Sequence, residues 1–527
     1  MAGLAWWQRG IIYQIVVPSF RDSNGDGLGD LGGVVEKLDY LRWLGVNGIW
    51  LSPFYRSPLR ELGYDVTDHC DVDPRFGTLA DFDRLIEEAH RRDLRVILDW
   101  VGNHTATDHA WFQESRSSRD NSKRDWHLWR DAKPDGSPPN NWISVFGGSA
   151  WEWDGTTKQY YLHTFLSSQA DLNWRNPQVA EAMHATLRFW LERGADGFRL
   201  DAPSLMLKDE QFRDNPPNPS YKQSDLPDSK QIPRYTRNQR GMHFLIANLR
   251  GVIDAAAPGS VLLGEFYLPF GELVTFYGRE RPELHLPLNL AITYTDWNAD
   301  AIGKAIEAYQ GSVPKNAWPT TTAETHDQPR IAMRTEGAQT RVAAMLLLTQ
   351  RGTPTIYYGQ EIGMSGVQIP REQARDPQGQ RTGRNRDPER TPMQWSCDHH
   401  AGFSRHEPWL PVEKDSRRVN VAVQSADSES LLSLYRELIA LRAREPVLVG
   451  GTHAPVVRQT PLLAYRREAD GRTLMVVLNF GREPRRCELE RGRGGHVLLS
   501  TCLDRVDERT GAAIDLRGDE GVVVAFD

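Results

Sequence analysis

Three carboxylates define the chemistry this chain can do: Asp201 in GFRLDA, Glu265 in GEF and Asp327 in THD, each where a short strand-like run ends. A fourth such end, DWVGNH, carries Asp99, Asn103 and His104. One carboxylate that attacks an anomeric carbon and one carboxylic acid that protonates a leaving oxygen are what retaining cleavage of a glycosidic bond requires. Their surroundings must hold one ionised and the other protonated near neutral pH. Arg199, two residues before Asp201, shares its strand face and is expected to keep that carboxylate charged. An isolated Asp or Glu is usually a solvated loop residue, but four strand ends bearing such groups point to one barrel mouth.

The elements that would position these groups are eight apolar runs alternating with helical periodicity: 10–17, 48–53, 95–101, 197–202, 261–266, 286–292, 318–324 and 353–359. Between them, Val179, Met183, Leu187, Trp190 and Leu191 share one helical face, opened by Asn176-Pro177 and stopped by Gly194. Val34, Leu38 and Leu41 form a similar stripe. Continuously apolar strands separated by helices imply a parallel sheet covered on its faces, and eight units imply a closed (β/α)8 TIM barrel. The expected organisation is a barrel over 1–101 and 172–445, a polar, Trp-rich subdomain over 102–171 inserted after the third strand, and an antiparallel β-sandwich over 446–527. Long insertions at 203–236 and 360–395 also leave from strand C-terminal ends, where barrel active sites are built.

The segment DSNGDGLGD after the first strand offers oxygen donors at alternate positions: Asp22, Asn24, Asp26 and Asp30, with the Leu28 carbonyl between. Gly27 permits a sharp turn, so the loop is expected to hold Ca²⁺, with Mg²⁺ as the other choice, in a structural role. The twelfth position is Gly33, where an EF-hand has Glu.

The chain has 527 residues, with 63 Lys and Arg against 70 Asp and Glu, a formal charge of −7. That balance argues against a nucleic-acid or anionic-membrane partner. MAGLAWWQRG has no basic start followed by an apolar run, and no stretch approaches a membrane span, so a cytoplasmic location is expected. The four cysteines, Cys70, Cys397, Cys487 and Cys502, lack metal or redox spacing and are expected to be buried thiols. Seventeen tryptophans are ample for a core and for stacking on sugar rings.

DWVGNH, QADLNW (169–174), GFRLDA, GEF and HDQPR, in this order, resemble glycoside hydrolase family 13, the α-amylase family, over nearly the whole chain. DSNGDGLGD, GYDV, YYGQEIGM and RTPMQW are similar to its α-glucosidase and oligo-1,6-glucosidase branch. The resemblance implies an exo-acting α-glucosidase acting on a small α-glucoside. Asp201 would be the nucleophile, Glu265 the acid/base, and Asp327 a group binding sugar hydroxyls more strongly in the transition state. It places His104 and His326 as donors to the sugar, Tyr64 beneath its ring, and Glu61 paired with Arg390 at the pocket end. Asp99 and Asp171 are expected to be structural. The chain departs from the pattern at Thr325, where Asn is usual, and at Glu61, where exo-acting relatives carry Asp.

Ala202, after the nucleophile, stands where Val accompanies α-1,6 cleavage in that branch, so α-1,4 linkages are expected to be favoured. A transglycosidase on the same scaffold, of the sucrose isomerase or trehalose synthase type, would share the glycosyl-enzyme and differ in what intercepts it. A non-catalytic relative, such as an ancillary transporter subunit, would need a membrane span and could lose these carboxylates. A carbohydrate-binding module is a weaker alternative still. Oligomeric state is not legible.

Overall fold

Eight short parallel strands form the centre of the molecule, which is seen here in a computed structural model describing residues 3–489 and 494–526. They are β1 (Ile12–Ile15), β2 (Gly48–Leu51), β3 (Arg95–Trp100), β4 (Gly197–Leu200), β5 (Val261–Glu265), β6 (Leu286–Leu288), β7 (Thr320–Thr322) and β8 (Thr353–Tyr357). Hydrogen bonding runs β6-β5-β4-β3-β2-β1-β8-β7, a nearly closed (β/α)8 barrel. Every residue of β1, β2, β4, β6, β7 and β8 is buried, which is why these segments are apolar or small apart from Gln14 and Arg199.

Each strand is shorter than its apolar run. The 286–292 run differs most: only Leu286–Leu288 is strand, and Ala291–Tyr294 turns into a helix. Asn289 ends the strand by accepting the Ala291 N–H on its side-chain oxygen at 3.1 Å. The gap between β6 and β7 is spanned by Thr320, whose hydroxyl accepts the Asn289 N–H at 2.8 Å and donates to the Pro287 carbonyl at 3.1 Å.

The helix at Pro177–Glu192 follows expectation. Asn176 accepts the Gln178 N–H, proline occupies the first turn, and the five-residue apolar stripe is buried. The chain leaves it through Gly194 at φ 95°, a left-handed position that glycine takes without strain. The Val34–Leu38–Leu41 stripe is buried too, but on two helices, Leu31–Glu36 and Leu38–Leu44, broken at Lys37.

After β3 the chain makes His104–Ala106, which pairs antiparallel with Gln169–Asp171, and between them a sheet of Trp129–Arg130, Gln159–Leu162 and Trp151–Asp154. The loop after β4 packs on this insertion: Trp142 donates its indole N–H to the Arg213 carbonyl at 2.9 Å, and its ring lies 5.5 Å from Phe212. Beyond the helix Leu431–Arg444, which Ser430 caps, come a six-stranded sheet and a two-stranded sheet (Arg485–Glu488 with Ala513–Leu516). Their facing apolar residues form a separate core including Met475, Val477, Val497, Val522 and Val524.

The four cysteines are free, but only Cys487 is buried; Cys397 is exposed, because it sits on a turn outside any packed layer. No described helix is long and apolar enough to cross a membrane.

Candidate active site

Parallel register brings the polar strand ends together. Arg199 on β4 stands beside Asp99 on β3 and Leu263 on β5, so one side chain reaches carboxylates from three consecutive strands. Arg199 is 1 % exposed. It holds Asp99 at 2.7 Å and Asp201 at 2.8 Å with Nη1, and Glu265 at 2.6 Å with Nη2. Three carboxylates, Asp99 and Asp201 buried and Glu265 partly so, thus surround one guanidinium. Burial raises Asp201 and Glu265 to about 7 and Asp99 to about 6, with Arg199 opposing each shift. Arg199 pulls Asp201 toward its charged form, as expected, but burial outweighs that pull.

Asp327 follows β7 on a loop held by Thr325, whose hydroxyl accepts the Asp327 N–H at 3.2 Å. Burial disfavours its charge, but Arg386 and Arg390 outweigh that and hold it well below the usual carboxylate range. Arg386 and Arg390 each reach Asp327 Oδ1 at 2.9 Å. Asp327 is thus held ionised while burial pushes Asp201 and Glu265 up, so it is electrostatically distinct from the other two.

Glu61 does not pair with Arg390. Its partner is Arg386, at 2.6 Å, which also holds Asp376 at 2.7 Å. Arg390 instead binds Asp327 and donates Nε–H to the His326 carbonyl at 3.0 Å. Residues 387–390 make one 3₁₀ turn, which brings both guanidiniums to Asp327 and leaves Arg386 the one that also reaches Glu61 in the loop after β2. Burial pushes Glu61 up to about 7 despite Arg386 and Arg390.

Tyr64 and His326 lie parallel, ring centroids 5.7 Å apart. Gln14 Nε2 stands 2.8 Å from His326 Nδ1, and His326 Nε2 is 2.9 Å from the Tyr64 hydroxyl. The hydroxyl in turn donates to Asp99 at 3.1 Å. Asp99 also accepts the Trp50 indole N–H at 3.1 Å, which makes it the link between β2, β3 and β4. His104 turns its Nε2 to the Tyr64 carbonyl at 2.8 Å, bracing that loop. Burial lowers His104 to about 4 and His326 to about 3, so both rings are neutral. Asp171 is tied to Thr164, Asn103 and Lys208. Two exposed aromatic residues stand after these strand ends, Tyr267 and Tyr294, with centroids 6.4 Å apart. Sequence reasoning passed over Arg386, Gln14, Trp50, Tyr267 and Tyr294. Only Arg386 had a signal, a second arginine four residues before Arg390.

The loop bearing Asp22, Asn24, Asp26, Leu28 and Asp30 is closed by its own backbone. Asp22 accepts from the N–H of Gly25 and Gly27, Asp26 from that of Leu28, and Asp30 from those of Ser23 and Gly33. Hard oxygen donors on alternate residues suit Ca²⁺ or Mg²⁺, and each carboxylate keeps lone pairs beyond these bonds. Among the described residues, however, the acidic or thiol group whose ligand atoms all fall within 4.8 Å is Cys502, Asp504 and Glu520. Arg517 already binds both of its carboxylates.

The Alpha-amylase family (alpha amylase, catalytic domain) matches residues 14–451. A protein of Rhizobium meliloti (strain 1021), named "Probable alpha-glucosidase", is 40% identical over 95% of this chain and 94% of its own. An alpha-glucosyl transfer enzyme of known structure superposes with a TM-score of 0.92 at 37% identity, covering 99% of this chain and 100% of that one. The trehalulose synthase MutB of Pseudomonas mesoacidophila MX-45 does so with a TM-score of 0.92 at 33% identity, covering 100% of both chains. With eight parallel strands in a nearly closed barrel and this acidic cluster at its mouth, the chain belongs to the α-amylase family, glycoside hydrolase family 13, and is an enzyme that acts on α-glucosides.

Proposed function

We propose that this enzyme cleaves a terminal α-linked glucose by double displacement and passes the glucosyl group to a sugar hydroxyl in preference to water. The observation that carries the double displacement is the clamping of Asp201 and Glu265 by two nitrogens of the same guanidinium. Carboxyl groups held that close favour the short spacing of retaining enzymes (~5–5.5 Å) over the wider one (~6.5–9.5 Å) that admits a water between them.

Asp201 attacks the anomeric carbon and forms a β-glucosyl ester as the C–O bond to the leaving group breaks. Glu265 gives its proton to the departing oxygen. It then takes a proton from the incoming hydroxyl, whose oxygen displaces Asp201 and restores the α-configuration. Asp327, held ionised, binds hydroxyls of the glucose ring more strongly as positive charge develops there. Tyr64 lies against that ring, His326 presents a neutral N–H, and Glu61 with Arg386 closes the pocket end. His104 acts through the Tyr64 loop. The barrel segments 1–101 and 172–445 would carry this chemistry, with 102–171 and 360–395 walling the pocket and 446–527 a separate sandwich.

Transfer is favoured by the likeness to an alpha-glucosyl transfer enzyme and a trehalulose synthase over essentially the full chain. Tyr267 and Tyr294 offer an acceptor ring apolar faces outside the charged cluster. Hydrolysis is the second reading, favoured by the 40% identical relative. Ala202 supports α-1,4 over α-1,6 donors in either case. The Asp22–Asp30 loop would hold a structural Ca²⁺ or Mg²⁺.

Early products from sucrose, maltose and isomaltose decide between the readings. Isomerised disaccharides or longer glucosides in excess over free glucose are expected; free glucose alone from each substrate would replace transfer by hydrolysis. Turnover of none of them would overturn the proposal.

A further inference from the structure

A cavity of about 360 Å³ lies away from the acidic cluster, between the insertion after β3 and the loop after β4. It is lined by residues 127–130 of the insertion and 172–174 and 206–210 of the barrel side, and by none of Asp201, Glu265 and Asp327. Its volume falls in the range of small-molecule sites.

Its charges do not balance. Five lining side chains are Arg or Lys and three are Asp or Glu. Glu210 is taken by Arg175 at 2.8 Å, and Asp209 by Arg213 at 2.7 Å. Lys208 is taken by Asp171 at 2.8 Å, and Arg119 by Asp131 at 3.2 Å. Asp125, the third lining acid, is exposed and accepts the Asn176 side-chain N–H at 3.4 Å, and Arg124 and Arg130 have no carboxylate within ion-pair distance among the described residues. Both guanidiniums are nevertheless held in place. Arg124 lies 3.5 Å over the Trp129 ring and donates to the Ser115 carbonyl and to Gln159. Arg130 lies 3.8 Å over Phe212 and donates to the Trp129 carbonyl. The Arg124 Nε–H is buried without a hydrogen-bond partner. Burial pushes Arg124 down to about 10 and Arg130 below its ordinary value, outweighing the pull of Asp154 and Asp131 on the first and of Asp125 on the second.

Arg124 Nη2 is spent on Thr157 and Gln159, but two guanidiniums fixed on aromatic faces at the wall of one cavity, each with N–H groups left over, are preorganised for an oxyanion. We propose that this cavity is a second ligand site, which binds a small phosphate-bearing anion through Arg124 and Arg130. The phosphate group comes either free, as inorganic phosphate, or carried by a hexose small enough for the cavity. Lys208 lines the same cavity and bridges to Asp171 and Asn103, so an occupant pins the insertion to the barrel beside His104.

The test is isothermal calorimetry on the full chain with inorganic phosphate, glucose 6-phosphate and glucose at matched ionic strength, with a tight active-site inhibitor present throughout. Saturable binding of a phosphate probe is expected, together with a rise in Tm. Tighter binding of glucose 6-phosphate identifies a phosphorylated sugar as the ligand; equal affinities identify phosphate itself. Arg130→Met is expected to weaken binding about tenfold or more while leaving phosphate-free turnover of an aryl α-glucoside unchanged. Arg124→Lys keeps the charge, loses the fork and should weaken it as well; if that variant does not fold, Arg130→Met decides alone. No saturable binding of either phosphate probe, undiminished binding by Arg130→Met, or equally tight binding of glucose would overturn the proposal.

Discussion

Glu61→Gln and Arg386→Gln, made singly and together, measure which arginine closes the pocket. The paired atoms are 2.6 Å apart, and the side chains are 5 % and 12 % exposed. Removing one partner of a pair this buried costs about 3–5 kcal/mol when the other charge is left alone. Arg386 is not left alone by Glu61→Gln, because Asp327 and Asp376 still hold it, so that variant should cost about 1–2 kcal/mol. Arg386→Gln strips a cation from three carboxylates and should cost the full amount, about 3–5 kcal/mol. In the double variant the uncompensated Glu61 charge is gone, so the loss should fall short of the sum by about 1.5–3 kcal/mol. The assay is kcat/KM on an aryl α-glucoside, converted to transition-state free energies, with Tm followed in parallel. The matching cycle with Arg390→Gln should show a smaller coupling, since Arg390 bonds Asp327 and the His326 carbonyl and not Glu61. Additive Glu61 and Arg386 losses, or stronger coupling to Arg390, would refute the assignment of the pair.

Glu265→Gln should slow unactivated disaccharides far more than aryl glucosides with good leaving groups, whereas Asp201→Asn should abolish both; equal damage to both substrate types by Glu265→Gln would remove Glu265 as the acid. Glu61 carries a pH signature: with its folded value near 7 against 4.5, its contribution to stability is fully present below pH 4.5 and lost as pH rises through 7, about 3 kcal/mol in all. Glu61→Gln should flatten the fall in Tm over that window, and an unchanged slope would contradict the burial argument. Ala202→Val should lower the maltose-to-isomaltose efficiency ratio about tenfold to a hundredfold. Because Ala202 sits at φ 41°, the β-branched residue should also cost about 1–2 kcal/mol of stability; a lower Tm with an unaltered ratio would leave Ala202 without a role in linkage choice. Chelation should lower Tm through the Asp22–Asp30 loop and leave the chemistry intact, and Asp22→Ala should abolish that sensitivity; a metal-free protein indifferent to chelator would reduce the loop to a turn.

Periodicity and residue type along the chain determined the barrel. Eight apolar runs needed covering on both faces, the Asn176-Pro177 start and Gly194 stop bounded a helix, and the polar ends of the runs marked one face. Those are local properties, set by side-chain period and by backbone preferences that a few neighbouring residues control. The partners of the charged groups were not local. Glu61 and Arg386 are 325 positions apart, and which of two arginines four residues apart meets Glu61 depends on a 3₁₀ turn and on the placement of the loop after β2. The two-helix break at Lys37 and the short β6 were hidden for a related reason: hydrophobic spacing records which residues are buried, not where hydrogen bonding ends. The upward shift of Asp201 and Glu265 was beyond sequence as well. It follows from three carboxylates sharing the single guanidinium of Arg199 away from water, and burial depth and charge count at a point exist only once strands distant in the chain stand in register.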